Sequence, residues 1–141
     1  MSLFDEVEVK MPLPGDVPEF LKKAPLFQTY DLGKNMGDYE ITEDGEVHML
    51  GTPAWDMISK LLKIEMQPMP LFWKRKKIHL HASNISGGSP SKNGWINYTR
   101  DGSDCIDVNY VVQIRNGKVS SIKELSRTVK PAQKMPERKR L

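Results

Sequence analysis

The chemistry in this chain is concentrated in one run, Phe72 to His81, where four consecutive cations stand between an aromatic pair and two histidines. Read as an extended strand with a two-residue period, the run puts Trp73, Arg75, Lys77, His79 and His81 on one face and Ile78, Leu80 and Ala82 on the other. Cations spaced along a strand can follow a phosphate backbone, and an aromatic face can stack a base; a single-stranded nucleic-acid binder uses both. The same pattern also describes a solvated strand face whose lysines guard an exposed sheet edge.

His79 and His81 project from one side of such a strand and could ligate a metal. Zinc needs at least a third protein ligand, and the only other histidine, His48, and the only thiol, Cys105, stand at no motif spacing from them. No metal or cofactor is expected. A second cationic stretch ends the chain: from Arg127 onward there are six cations and one acid, so a net charge of +3 divides into +5 for this tail and −2 for the rest. Pro131 and Pro136 break any helix there, which describes a solvated extension or an arm for phosphates or an acidic partner. The candidates for nucleic-acid or anion binding are therefore Trp73, Lys74, Arg75, Lys76, Lys77, His79 and His81, with Arg138, Lys139 and Arg140 in the tail.

Catalytic motifs are missing from the sequence: there is no Gly-x-Ser-x-Gly elbow and no His-Glu-x-x-His. Gly87-Gly88-Ser89 invites a phosphate-cradle reading, but no Gly-Lys-Ser/Thr follows, and Asn84 to Gly94 reads as a long polar surface loop. Distant residues could still assemble a site, so enzymatic activity is left open, with the balance against it.

The elements that must position these groups are legible from periodicity. Leu3 to Val9 and Phe27 to Leu32 alternate as strands, and Pro18 opens a short helical turn. Between Tyr39 and Met49, a three-residue loop with Gly45 in the left-handed region pairs Thr42 with Glu46, Ile41 with Val47, Glu40 with His48 and Tyr39 with Met49. Thr52 caps and Pro53 opens one principal helix over about 53–63, whose apolar stripe of Trp55, Ile58, Leu61 and Leu62 reads as core. Trp95 to Thr99 is a further strand. Asn116-Gly117 is a two-residue hairpin loop, with Ile114 opposite Val119, Val112 opposite Ser121 and Val108 opposite Leu125.

The segments Leu3-Phe4-Asp5-Glu6-Val7, Pro12-Leu13-Pro14, Phe27-Gln28-Thr29-Tyr30-Asp31-Leu32 and Tyr39 to Gly45 resemble a group of small uncharacterised bacteriophage and prophage proteins. The resemblance covers about residues 1–50 and, loosely, 108–125. It implies a single cytoplasmic domain made in a bacterial host, and brings no activity or site residues with it.

The expectation is an α+β fold: a mainly antiparallel sheet of about six or seven strands, one principal helix, a domain over 1–126 and a basic tail over 127–141. The lone cysteine excludes an internal disulfide and fits a reducing compartment. No apolar run reaches a membrane span and the acidic N-terminus lacks a signal-peptide pattern, so the expected location is the cytoplasm, with no membrane partner. The leading functional reading is a non-enzymatic phage accessory protein that binds a host or phage protein of unknown identity. The alternative is a nucleic-acid-binding protein using the 73–81 strand and the tail, and a small hydrolase or transferase comes third. Oligomeric state is left open.

Overall fold

Alternation of buried and exposed side chains organises the computed structural model, which describes residues 3–136. Eight strands form one sheet: β1 (Asp5–Val9), β2 (Leu26–Thr29), β3 (Asp38–Ile41), β4 (Val47–Gly51), β5 (Met69–Pro70), β6 (Arg75–Ser83), β9 (Cys105–Arg115) and β10 (Lys118–Lys130). Their spatial order is β10-β9-β6-β2-β1-β3-β4-β5. The strands β7 (Ile85–Ser91), β8 (Gly94–Thr99) and β11 (Gln133–Lys134) make a second, three-stranded sheet. Pairing is antiparallel except between β1 and β3 and between β11 and β8. The eleven strands among the described residues exceed the expected six or seven, partly because short pieces such as β5 and β11 carry too little pattern to be read in advance.

The large sheet curls back on itself. Val119 N–H donates to the Gly45 carbonyl at 2.8 Å and Glu46 bridges to Lys118, so the β3–β4 turn meets the start of β10 although the two lie far apart in strand order. The concave face holds the core, with Val7, Ile41, Ile78, Leu80, Val108, Tyr110 and Val112 all 0 % exposed. Phe27 meets Tyr110 edge to face at 5.7 Å between centroids, a favoured aromatic geometry. Met11, Leu13, Val17, Phe20 and buried Leu21, from the proline-rich segment and α1 (Glu19–Lys23), pack against this core.

The β3–β4 hairpin has the register the sequence dictates, with Gly45 at φ +84° and Thr42 N–H bonded to the Glu46 carbonyl. The β9–β10 hairpin agrees only at its turn, where Asn116 and Gly117 both have positive φ and Ile114 faces Val119. Bulges between Val119 and Ser121, and between Glu124 and Ser126, then shift the pairing to Ile122 opposite Val112 and Arg127 opposite Val108. Such bulges also interrupt the long edge that β10 would otherwise offer to another chain.

Three further expectations are corrected. The helix α2 (Pro53–Leu62) forms as its caps demand, with Thr52 Oγ1 accepting Trp55 N–H and Lys63 ending it at φ 53°, but none of its residues is buried. Trp55, Ile58, Leu61 and Leu62 therefore do not belong to the core; β1 to β4, β6, β9 and β10, with Leu21 and Leu32, close it without them. The segment 84–94 is largely the β7 strand, whose Gly88 lies under the Trp95 indole: a Cβ there would come within 2.4 Å of Trp95 Nε1. Residues 127–134 are not a free tail, because Arg127–Lys130 continue the β9 ladder and β11 pairs with β8. Arg127 also donates to the Asp16 carbonyl and pairs with Glu124. Among the described residues no helix is long and apolar enough to cross a membrane.

Candidate nucleic-acid interface

The strand β6 lies inside the large sheet, not at its edge, so its lysines guard no edge. It pairs with β9 along its full length, from Arg75 opposite Arg115 to Ser83 opposite Asp107, and touches β2 at Gln28 opposite His81. Ile78, Leu80 and Ala82 point to the core, which forces Arg75, Lys77, His79 and His81 onto the outer face.

Because paired residues of neighbouring strands share a face, the registers extend this surface across three strands. Arg75, Arg115 and Lys118 form one row; Lys77, Gln113 and Ser121 the next; His79, Val111 and Lys123 the third. Arg75, Lys77, Arg115, Lys118 and Lys123 are exposed. Among the described residues none of these five side chains has a hydrogen bond or an ion pair with a carboxylate. Like charges placed directly opposite one another on a sheet are destabilising; Glu46, which stands opposite Lys118 on its other side, has its carboxylate 3.2 Å from His48 Nε2 and among the described residues makes no ion pair with the row.

The histidine end of the face is different. His79 donates its backbone N–H to Asp31 Oδ2 at 2.7 Å and places Nδ1 3.1 Å from the same oxygen. Partial burial alone would raise the Asp31 pKa, but these bonds, the imidazole and nearby Lys76 outweigh it and hold the carboxyl below its ordinary value. His81 Nε2 lies 2.8 Å from Asp107 Oδ1. Both imidazoles are thus engaged by carboxylates, and among the described residues no group of three or more His, Cys, Asp or Glu side chains is placed to hold a metal ion. Cys105 is buried.

Trp73 does not join the cationic face. The chain bends at Lys74, so the strand period does not extend back to Trp73, which packs against the core with Lys76 Nζ 5.8 Å from its ring centroid. Lys76, which alternates with Arg75 and Lys77, is half-buried and does not belong to the outer row. Lys74 is exposed at the bend, and its carbonyl accepts Asn116 N–H at 3.0 Å. Arg138, Lys139 and Arg140 lie outside the described residues. Sequence reasoning missed Arg115, Lys118 and Lys123. Arg115 opposite Lys118 follows directly from the Asn116-Gly117 loop, whereas their juxtaposition with Arg75 needs the β6–β9 pairing, which no local pattern announces.

Acidic residues collect on a separate flank. The parallel β1–β3 register sets Glu6 opposite Asp38 and Glu8 opposite Glu40. Lys10 Nζ reaches Glu40 Oε2 at 2.8 Å and His48 Nδ1 stands 3.4 Å from Glu40 Oε1. The Lys10 bond, foremost, pulls the Glu40 pKa down against the opposing effect of burial. A modest net charge therefore conceals an acidic group on β1 and β3 and a cationic row at the β9–β10 turn.

A cleft of about 300 Å³ at the β2–β6 seam is lined by Glu6, Gln28, His81 and Ser83 among others. There His81 Nε2 is engaged by Asp107 Oδ1 at 2.8 Å. No known family, curated protein or solved structure matches the chain.

Proposed function

We propose that this protein is a non-enzymatic nucleic-acid-binding protein whose ligand lies across the outer face of β6, β9 and β10. The observation that carries this reading is the set of five exposed cations on three adjacent strands, none of them ion-paired among the described residues, with Arg75, Arg115 and Lys118 in direct cross-strand register. Beyond the backbone bridge of Lys118 to Glu46, the fold gains no ion pair from this row among the described residues. A polyanion laid across it converts the repulsion into attraction and releases its condensed counterions, which is the main source of affinity for a nucleic-acid backbone. Binding of a random-sequence single-stranded oligonucleotide, measured at several salt concentrations, tests the proposal: affinity should appear at low salt and fall steeply as salt rises.

A second reading, the accessory protein that docks on a host or phage protein, is favoured by a different observation. The apolar stripe of α2 stands in solvent, with Trp55 46 % and Leu61 76 % exposed. Apolar stripes of this kind characterise helices that enter partner grooves. Pull-down from bacterial lysate with the native chain and with a Trp55→Ala/Leu61→Gln variant separates the readings, since only a protein partner would be lost with the stripe. Both readings are compatible with the phage resemblance of the N-terminal segments and with action in a bacterial cytoplasm, and neither depends on it.

A further inference from the structure

We infer that Phe72 is the base-stacking platform of the basic face, and that it makes the surface selective for single-stranded nucleic acid. This inference rests on the basic-face reading above and adds a ligand class and a residue to it. Phe72 is 77 % exposed, an unusual position for a phenylalanine, and its location is not arbitrary. The ring lies against the β9–β10 turn: a Cβ built on Gly117 would fall 2.6 Å from Phe72 Cδ2 and 3.1 Å from Cε2. Glycine at this point serves the turn, where Gly117 has φ +78°, and it also leaves room for the ring.

The turn itself is tied to the segment that carries Phe72, since Gly117 N–H donates to the Trp73 carbonyl at 2.9 Å and Asn116 N–H to the Lys74 carbonyl at 3.0 Å. Phe72 is thereby fixed beside the Arg75, Arg115 and Lys118 row that flanks the same turn. A ring with one side held by backbone and most of its surface open meets the geometric need of base stacking. Trp73, the aromatic that sequence spacing favoured for this task, is occupied by the core and by Lys76. In a duplex the bases are already stacked on one another and out of reach; in a single strand they are free to settle on the ring while the phosphates meet the cations.

The test compares native protein with Phe72→Ala and Phe72→Tyr against three probes at low salt: oligothymidylate, a DNA duplex, and inorganic polyphosphate, which has charge and no bases. Phe72→Ala should weaken oligothymidylate binding by about tenfold or more, leave duplex and polyphosphate binding within about twofold, and be rescued by Phe72→Tyr. Unchanged oligothymidylate affinity, or an equal loss on polyphosphate, overturns the role of Phe72 and leaves the cationic face standing. If native protein binds none of the three, both the inference and the reading beneath it fall.

Discussion

Arg75 of β6 stands directly opposite Arg115 of β9, and Arg115 stands directly opposite Lys118 of β10. Three positive charges in register across three strands oppose folding, since a like-charge cross-strand pair costs a few tenths of a kcal/mol to about 1 kcal/mol. Stability and binding should therefore respond to the central residue in opposite directions. Arg115→Gln should raise the urea midpoint, by about 0.5 kcal/mol of stability, and weaken oligonucleotide binding. A variant that loses both would show that Arg115 is a structural residue.

The stripe of α2 predicts near-silence in stability. Leu61 is 76 % exposed, so Leu61→Gln should change unfolding free energy by no more than about 0.5 kcal/mol, the usual range for surface positions. Were the helix part of the core, the loss would be about 2 kcal/mol or more. Denaturant unfolding distinguishes the two outcomes.

Asp5 should prove costly to remove. It is 0 % exposed, and its carboxylate accepts the backbone N–H groups of Lys34, Asn35 and Gly37 at 3.0, 3.2 and 2.8 Å. That loop holds Lys34 and Met36 at positive φ, a conformation disfavoured for both residue types. Asp5→Ala leaves three donors without this acceptor and should cost about 3 kcal/mol in urea unfolding. Loss of amide-exchange protection should begin at 34–37.

Glu40 and Lys10 give a pH dependence with a definite sign. The Glu40 pKa is depressed in the folded chain, chiefly by the Lys10 ammonium, so its stabilising contribution is complete above the unfolded carboxyl value of about 4.3 and is lost as pH falls through the lower folded value. The Lys10 pKa is raised by the same bond, so its contribution is complete below the unfolded value of about 10.4 and disappears as pH rises through the higher folded one. Glu40→Gln should lower thermal stability at pH 7, and its difference from the native chain should shrink on acidification below about pH 4. A gap that persists at low pH would mean that the charge of Glu40 is not what stabilises.

How far the sequence reaches is clear from particular residues. The β3–β4 register, the α2 caps and the type of the Asn116-Gly117 turn are local matters, decided by steric and hydrogen-bond preferences of a few adjacent residues. The outward position of Arg75, Lys77, His79 and His81 was likewise legible, because Ile78 and Leu80 alternate with them. The two-residue period does not reach Trp73, because the chain bends at Lys74 and turns the indole onto the core. The pairing beyond Val119 was missed because two bulges leave no mark in composition. The stripe of α2 looked like core because amphipathicity states that a helix has an apolar face, not that anything covers it. Above all, the cationic row depends on long-range pairing of β6 with β9, and the partners Asp31 and Asp107 that engage the two histidines are equally non-local.

The most direct test of the cationic face is the salt dependence of oligonucleotide affinity in native protein and in an Arg75→Gln/Arg115→Gln/Lys118→Gln variant. Each phosphate neutralised on a single strand contributes about −0.7 to the slope of log affinity against log salt. The native protein should bind at low salt, and the triple variant should bind more weakly with a slope shallower by about 2. Equal slopes for the two proteins, or no binding by the native chain at low salt, would contradict the account.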